Sequence, residues 1–213
     1  MRSVRPSRLL LATGNQKKLK ELREILTPVG ISVVVPADIG YNPDVEETGT
    51  TFEANAILKA EAGVAATGMW TIADDSGIEA RALNWRPGVY SARYAGVPCN
   101  DEANNQKLIS ELENQTDKHV QYRCVIALAR PGQLPLTWSG IFVGQHTATR
   151  TGSGGFGYDP YVFVPELGKT VAELSNEEKH ARSHRGQALR GFMEWMESAE
   201  GSGSPGVRKS GSL

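Results

Sequence analysis

Residues 8–35 read RLLLATGNQKKLKELREILTPVGISVVV, and this stretch decides the fold class. Arg8–Thr13 is a short apolar run that ends at Gly14, which is typical of a buried strand. Asn15 suits the N-cap of a following helix. Four apolar side chains then share one helical face, namely Leu19, Leu22, Ile25 and Leu26. Residues 31–35 form a second, β-branched strand, and the strand–helix–strand order indicates an α/β fold.

The rest of the chain continues this mixed pattern. We predict further helices and strands at Phe52–Ala66 (helix), Thr71–Ala73 (strand), Asp101–Glu113 (helix), Val120–Ala129 and Leu136–Val143 (a hairpin), and Asn176–Glu197 (a helix interrupted near Ser183–Gly186). An antiparallel hairpin inside an α/β chain predicts one long, twisted, mixed sheet with flanking helices.

Composition narrows the class of protein. The chain has 213 residues, 39% hydrophobic and 22% charged, which suits a single domain with a sizeable core. We assign that domain to residues 1–200 and expect residues 201–213, which are small and polar, to form a disordered tail. The 23 Lys and Arg residues nearly balance 24 Asp and Glu residues, so the net charge is -1. A broad surface for a nucleic acid strand is therefore not expected.

Cysteine content and the N-terminus indicate the compartment. Cys99 and Cys124 are the only cysteines, which excludes a disulfide scaffold and favours a reducing cytoplasm. The apolar run Leu9–Ala12 is too short for a secretory signal or a membrane span. We therefore expect a cytoplasmic protein without a membrane partner.

Two glycine-and-cation motifs could hold phosphate. Thr13-Gly14-Asn15 precedes Lys17 and Lys18 at the start of a helix, where backbone N–H groups and the helix dipole favour anions. An ordinary strand–helix turn with solvated lysines explains the same pattern. Farther on, Lys179 and Ser183–Gly186 place cations at an interrupted helix, which suits a phosphate or a purine carbonyl, or equally a solvated helix end.

Two acidic motifs could hold Mg²⁺, which prefers hard oxygen ligands. Glu46 and Glu47 precede Gly49, and Lys59 lies on the next helix. An exposed acidic loop without a metal would have the same sequence pattern. Asp74-Asp75 follows an apolar strand, where open α/β sheets bind ligands. Adjacent side chains in a strand point to opposite faces, so one carboxylate would aim into a given cleft. The alternative is an aspartate that caps a strand–helix turn.

One more motif, Ser153–Pro160, packs three glycines around two aromatic residues, which favours close approach to a flat ligand or a tight bulged turn. The remaining histidines, His119, His146 and His180, have no partner pattern and are expected at the surface. Two cationic glycine sites, two acidic clusters and an aromatic glycine loop together indicate a nucleoside polyphosphate bound with magnesium.

These motifs also carry a resemblance. ATGNQKKLKEL, EETGTTFEANAILKA, ADDSGIEA, RPGVYSARYAG, GGFGYDPYVFVPELGKTVAEL and EEKHARSHRGQAL, in this order from about Leu9 to Leu189, resemble the inosine/xanthosine triphosphate pyrophosphatases of the Ham1 or RdgB-like family. The resemblance implies an elongated, two-lobed ITPase-like α/β fold with a central cleft. It also implies Mg²⁺-dependent hydrolysis of non-standard purine nucleoside triphosphates (ITP, dITP, XTP, dXTP) to the monophosphate and pyrophosphate by a homodimer.

The family pattern implies a role for each matching residue. Asp75 would be the general base and a metal ligand, with Glu46 or Glu47 sharing the metal. The triphosphate would be held by Thr13, Gly14, Asn15, Gln16, Lys17, Lys18 and Lys59, and Ser76 would contact substrate. The base would be held by Phe156, Gly157, Tyr158 and Asp159, and its oxygen-bearing edge read by Lys179, His184 and Arg185.

Two positions depart from the family pattern. Lys17 stands where the phosphate loop usually has glycine, which would cost free energy only if the position needs a positive φ. Ala54 stands where the motif FxENA has its glutamate, and Glu53, which points to a different side of the helix, is not expected to replace it. Two other readings are a nucleotide-binding module that no longer hydrolyses, and a pyrophosphatase of the related Maf class acting on pyrimidine or modified nucleotides.

Overall fold

The computed structural model describes Pro6, residues 8–27 and residues 31–198, so the predicted tail at residues 201–213 lies outside the described part. Its helices are α1 (Gln16–Leu26), α2 (Phe52–Thr67), α3 (Asp101–Leu112), α4 (Asn176–Arg182) and α5 (His184–Glu197). Its strands are β1 (Arg8–Leu11), β2 (Ser32–Val34), β3 (Thr71–Ala80), β4 (Arg86–Pro87), β5 (His119–Arg130), β6 (Gln133–His146), β7 (Val162–Val164) and β8 (Lys169–Thr170).

The strands form one mixed sheet in the order β2-β1-β3-β5-β6-β7-β8, with β4 paired to β3 off this path. β2, β1 and β3 run parallel, and the other pairs are antiparallel. The predicted hairpin is present as β5 and β6, and Asn15 caps α1 as predicted. The α/β class with a long mixed sheet and flanking helices is thus confirmed. Within the described residues, no helix is both long and apolar enough to cross a bilayer.

Three apolar clusters hold the layers together. On one face of the sheet, α1 and α5 pack through Leu22, Leu26 and Phe192 onto β1, β3 and β5. On the opposite face, α2 contributes Phe52, Ala56 and Ala60 to a cluster of mostly small residues. The third cluster lies at the far end of β3, β5 and β6, under α3. The middle of β3 therefore lies between helices on both faces.

The prediction that β3 ends before Asp74 is wrong. The strand continues through Asp74-Asp75-Ser76-Gly77 to Ala80, and β5 pairs with it along its whole length. Both aspartates therefore lie inside a paired strand, and neither caps a strand–helix turn. The expected alternation holds, because Asp74 faces the α1/α5 side and Asp75 faces α2. The strand thus delivers two carboxylates to two separate environments.

The prediction that His146 lies at the surface is also wrong. It is the last residue of β6 and is 7% exposed, and its Nε2 has no hydrogen-bond partner among the described residues. Burial, with a contribution from Lys118, lowers its pKa to about 4. Its alternation with exposed Val143 and Gln145 along β6 puts it on the inner face, a position that residue type alone did not indicate.

We expect His146 to make the protein sensitive to acid. An unfolded histidine binds a proton below pH about 6.5, whereas the folded one does so only near pH 4, so stability is lost as the pH falls between these values. The loss from this group reaches about 3 kcal/mol at pH 4. Urea unfolding of the wild type and of His146→Gln between pH 8 and pH 4 should show a shallower decline in the variant. Parallel curves would contradict the assignment.

Candidate active site

The turn between β1 and α1 forms one wall of the candidate site. The side chain of Asn15 accepts hydrogen bonds from the backbone N–H groups of Lys17 (3.0 Å) and Lys18 (3.2 Å), so these two amides are already capped. Thr13 and Gly14 line a cleft beside this turn. The positive charge that this wall presents therefore comes from lysine side chains as well as from the helix dipole.

Lys17 fits its position without backbone strain, because it lies inside α1 and is not among the described residues with positive φ. Its Nζ pairs with Asp101 Oδ2 at 3.1 Å and lies 5.4 Å from the centre of the Phe156 ring. The backbone N–H of Gly157 donates to the same carboxylate oxygen at 3.3 Å. Lys17 therefore links α1 to α3 and to the aromatic glycine loop.

Asp75 lies in a buried polar pocket formed with α2. Asn55 Nδ2 donates to its Oδ2 (3.2 Å), and Lys59 Nζ donates to its Oδ1 (3.1 Å). Burial raises the pKa of Asp75, and the charge of Lys59 offsets only part of that rise. Because a carboxylate with a raised pKa is a better proton acceptor, Asp75 suits general-base chemistry.

Lys59 connects Asp75 to the acidic loop. Its Nζ donates to Glu47 Oε1 at 2.8 Å, and the neighbouring carboxylates keep its pKa above the ordinary value despite burial. Glu46 is exposed and has no side-chain hydrogen bond within the described residues. Of the two predicted glutamates, Glu47 is thus the one that lies next to Asp75.

A cleft of about 720 Å³ opens in front of Glu46, Glu47 and Lys59. Its walls are Ala12, Thr13, Gly14, Asn42, Pro43, Asp44, Val45, Glu46, Glu47, Lys59 and Arg93. The volume is in the range of small-molecule sites, which commonly occupy several hundred Å³. The carboxylates and cations of the lining suit a charged, metal-associated ligand better than an apolar one.

The donor set can be tested against a magnesium ion. Within residues 8–27 and 31–198, no three His, Cys, Asp or Glu side chains converge as a closed metal cage. Mg²⁺ usually takes one or two carboxylates and completes its shell with water and substrate phosphate. Glu47 and Asp75, both within hydrogen-bond distance of Lys59 Nζ, meet that requirement. The residues present therefore fit a magnesium ion that binds together with a phosphate ligand.

Asp74 organises the opposite face of β3. Its Oδ2 accepts from Lys18 Nζ (3.0 Å) and from Arg185 Nη2 (3.1 Å), and its side chain is fully buried. Burial alone would raise its pKa, but Lys18 and Arg185 hold the pKa well below the usual range. Arg185 also donates to Ser76 Oγ (3.0 Å) and to Glu21. Asp74 is therefore a permanently charged anchor for two cations.

A second buried lysine extends this network. Lys179 Nζ lies 3.1 Å from Glu21 and 2.8 Å from Asp159, and 4.8 Å from the centre of the Phe156 ring. These carboxylates keep its pKa above the ordinary value although burial opposes this. Asp74, Arg185, Glu21, Lys179 and Asp159 thus form a continuous chain of charged side chains, none of them more than 14% exposed.

His184 is a neutral, oriented ring in the same region. Burial and the nearby cations lower its pKa well below the ordinary value, and the ring stacks on Tyr122 with centroids 5.0 Å apart. Its Nδ1 is buried without a hydrogen-bond partner among the described residues. A polar atom left in this condition is costly unless a ligand satisfies it.

The four residues predicted to hold a base occupy different environments. Phe156 is half-buried, and the Nζ atoms of Lys17 and Lys179 lie 5.4 and 4.8 Å from the centre of its ring. Tyr158 is buried and donates its hydroxyl to the backbone oxygen of Ser91 (2.8 Å). Asp159 accepts from the Phe156 N–H (2.8 Å) and the Tyr122 hydroxyl (3.0 Å). Only the ring of Phe156 is thus placed to stack on a ligand, while Tyr158 and Asp159 shape the loop.

Sequence reasoning overlooked four participants, namely Glu21, Asn55, Asp74 as an anchor, and Arg93. Glu21 lies on the amphipathic helix α1, and Asn55 lies on α2, which is rich in small residues. In the sequence each looks like an ordinary polar residue of a helix. Nothing in the local sequence marks these two residues as part of a site. Asn55 is distinguished by its burial (0% exposed), and that is known only once the fold is known. Glu53, in contrast, accepts from Thr137 Oγ1 on β6, away from Asp75, in agreement with the prediction that it cannot replace the residue missing at Ala54.

Comparison with known proteins gives one consistent result. The sequence model of the Ham1 family matches residues 9–195. A dITP/XTP pyrophosphatase of Staphylococcus epidermidis is 47% identical over 192 residues, covering 89% of this chain and 96% of that protein. A dITP/XTP pyrophosphatase of Nitrosomonas europaea is 46% identical, covering 91% and 96%. The structure of the Staphylococcus aureus Ham1 protein superposes with a TM-score of 0.81 at 43% identity, covering 89% and 98%.

Proposed function

The chain belongs to the Ham1 family, and from this we propose that it hydrolyses the triphosphates of inosine and xanthosine nucleosides (dITP, ITP, XTP and dXTP) to the monophosphate and pyrophosphate. Its relatives from two bacteria are named dITP/XTP pyrophosphatases. The observation that carries the proposal is the pair Asp74-Asp75. On one face of the strand Asp74 holds Lys18 and Arg185, and on the other face Asp75 is a proton acceptor bonded to Lys59 of the cleft lining.

In this reaction Asp75 accepts a proton from the attacking water, whose oxygen bonds to the α-phosphorus while the anhydride bond between the α- and β-phosphates breaks and pyrophosphate leaves. Its raised pKa, caused by burial, supports this role. Glu47 and Asp75 would hold Mg²⁺, which supplies charge neutralisation on the phosphates when bound. Lys18 and Lys59 add positive charge, and Thr13–Lys18 forms the adjoining wall. Glu46 lines the cleft without reaching Asp75, so Glu47 is the proposed ligand.

The base would stack on Phe156 and meet donors from Lys179, His184 and Arg185. Hypoxanthine and xanthine carry a carbonyl at C6, where adenine carries an amino group. A buried donor pairs with the carbonyl and is left unpaired by the amino group, which is a strong basis for rejection. The unpartnered Nδ1 of His184 and the buried cations of this region support such a reader.

The remaining assignments follow the same family pattern. We propose that residues 1–200 act as one domain whose two lobes contain the apolar clusters at the two ends of β3. We also propose a homodimer and a cytoplasmic location, the latter supported by two free cysteines, Cys99 and Cys124.

The proposal is tested by incubating the protein with dITP, XTP, dATP and dGTP, with Mg²⁺ or with EDTA, and identifying the products. We expect dIMP and pyrophosphate from dITP, a much slower reaction of dATP, and no reaction in EDTA. Release of orthophosphate, equal rates on dATP, or preference for a pyrimidine or modified nucleotide would overturn it. Binding of dITP without turnover would indicate a nucleotide-binding module.

A further inference from the structure

One buried cation has no acid beside it. The described residues bury four lysine and arginine side chains, namely Lys59, Lys179, Arg185 and Arg130. Each of the first three lies within ion-pair distance of two carboxylates. Arg130 is 9% exposed and pairs with no carboxylate of the described chain, and burial lowers its pKa without an acid to offset this. A buried charge in this condition is unfavourable unless another group pairs with it.

Arg130 lies outside the substrate cleft. It is the last residue of β5, at the turn into β6, and no wall of the cleft comes from this end of the hairpin. Val125, which lies opposite Asp75, is five residues back along the same strand, a separation of about 16 Å. A ligand at Arg130 would therefore not touch the groups proposed for catalysis.

Two indoles hold the guanidinium in place. Its Cζ lies 5.6 Å from the centre of the Trp70 ring and 5.2 Å from that of Trp195. Trp138 extends the cluster, with its ring centre 5.6 Å from that of Trp195, and all three indoles are half-buried. The ring faces attract the cation, but an indole N–H is a donor only. The rings therefore position the guanidinium without supplying acceptors for its N–H groups.

The donors of this cluster are largely unsatisfied. Arg130 Nε and Trp195 Nε1 are buried without a hydrogen-bond partner. Arg130 Nη2 makes one contact of 3.4 Å with the backbone oxygen of Leu134, which is long for a hydrogen bond, and Nη1 makes none within the described residues. Unpaired buried donors in a native structure call for an explanation. Because Nε is enclosed, the edge between Nη1 and Nη2 is the one that can bind a ligand.

The chemistry of the cluster selects the ligand. A carboxylate is planar and accepts two parallel hydrogen bonds from one guanidinium. One cation matches the single negative charge of a carboxylate better than the two charges of a phosphate. Indole surface lies beside the guanidinium, and Leu134, whose carbonyl it contacts, is 85% exposed. An apolar group attached to the carboxylate would thus contact apolar side chains.

We propose that Arg130, with the indoles of Trp70 and Trp195, forms a second binding site, which takes the carboxylate of a small organic acid and packs the apolar part of that acid against the indoles. The site is independent of the proposed hydrolysis, since it shares no residue with the cleft. It also explains why the fold buries an arginine without an acid.

Hexanoate is a suitable probe, because it joins one carboxylate to a short apolar chain. Three of the four tryptophans lie in the cluster, so tryptophan emission reports binding, with calorimetry as a second measurement. We expect a saturable change in emission at millimolar hexanoate. Acetate, which lacks the chain, and hexanamide, which lacks the charge, should bind more weakly by about 10-fold or more. Addition of dITP in EDTA should not displace hexanoate.

Arg130→Met tests the assignment, because methionine keeps an apolar side chain beside the indoles and removes the charge. We expect hexanoate affinity to fall by about 10-fold or more. The urea midpoint should stay at or above that of the wild type, since an unpaired buried charge is removed. Arg182→Met, at an exposed position on α4, is the matched control and should leave both unchanged. Trp85→Phe should keep the emission change, because Trp85 contacts His119 outside the cluster.

Equal responses to hexanoate and hexanamide would overturn the proposal without any variant. Full hexanoate affinity in Arg130→Met would also overturn it, and a lower urea midpoint together with that affinity would assign the arginine a purely structural role. Displacement of hexanoate by dITP would place the carboxylate in the substrate cleft and contradict a second site.

Discussion

Asp75→Asn is expected to lower kcat for dITP by about 10²–10⁴-fold while nucleotide binding persists. Asparagine has nearly the same shape as aspartate and keeps an oxygen that can accept from Lys59. It cannot take a proton from water at neutral pH, and it removes one of the two carboxylates proposed for the metal. Single-turnover product formation and calorimetric binding of dITP in EDTA measure the two effects separately.

Glu79→Gln is the matched control for this experiment. Glu79 lies four residues along the same strand, on the same face as Asp75, and its carboxylate accepts from Gln121 at 2.7 Å. The same loss of one carboxylate charge there should leave kcat nearly unchanged. If Asp75→Asn kept a kcat near that of the wild type, or if both variants fell equally, Asp75 would not be the base.

Local sequence patterns were sufficient for most of the elements and for the cleft wall. The apolar face of α1 and its Asn15 cap are set by residues within one or two turns, so they can be read without the fold. Adjacent carboxylates on opposite faces follow from strand geometry once β3 is recognised. The predicted length of β3 was wrong, because the polar sequence Asp-Asp-Ser-Gly looks like a turn unless its pairing with β5 is known.

The charge network could not be predicted, because its partners are distant in sequence. Asp74 and Arg185 are 111 positions apart, and Glu21 and Arg185 are 164 apart. Either acid could equally be a solvated surface group, and only packing of α5 against α1 and β3 brings them together. The resemblance to a family indicated Arg185 as a reader of the base but did not reveal the carboxylates that hold it.

That network leads to the second large effect, on stability. Arg185 is 2% exposed and is hydrogen-bonded to Asp74 and Glu21. Arg185→Leu leaves two carboxylates with fewer partners in a buried site, and breaking a buried pair in this way costs about 3–5 kcal/mol. Urea unfolding at pH 7 should show this loss. Arg182→Leu, at an exposed position on α4, should change the unfolding free energy by less than about 0.5 kcal/mol.

A double-mutant cycle distinguishes lost pairing from lost packing. Asp74→Leu alone leaves Arg185 without one of its acceptors. The double variant, Asp74→Leu with Arg185→Leu, removes both members of the pair. Lys18 also loses Asp74, but its side chain is near enough to solvent to be hydrated instead. Because a buried pair replaced by apolar side chains costs far less than one orphaned charge, the double variant should be more stable than the sum of the single losses predicts. Additive losses would show that Arg185 stabilises the fold by filling space, and that Asp74 does not serve as its anchor.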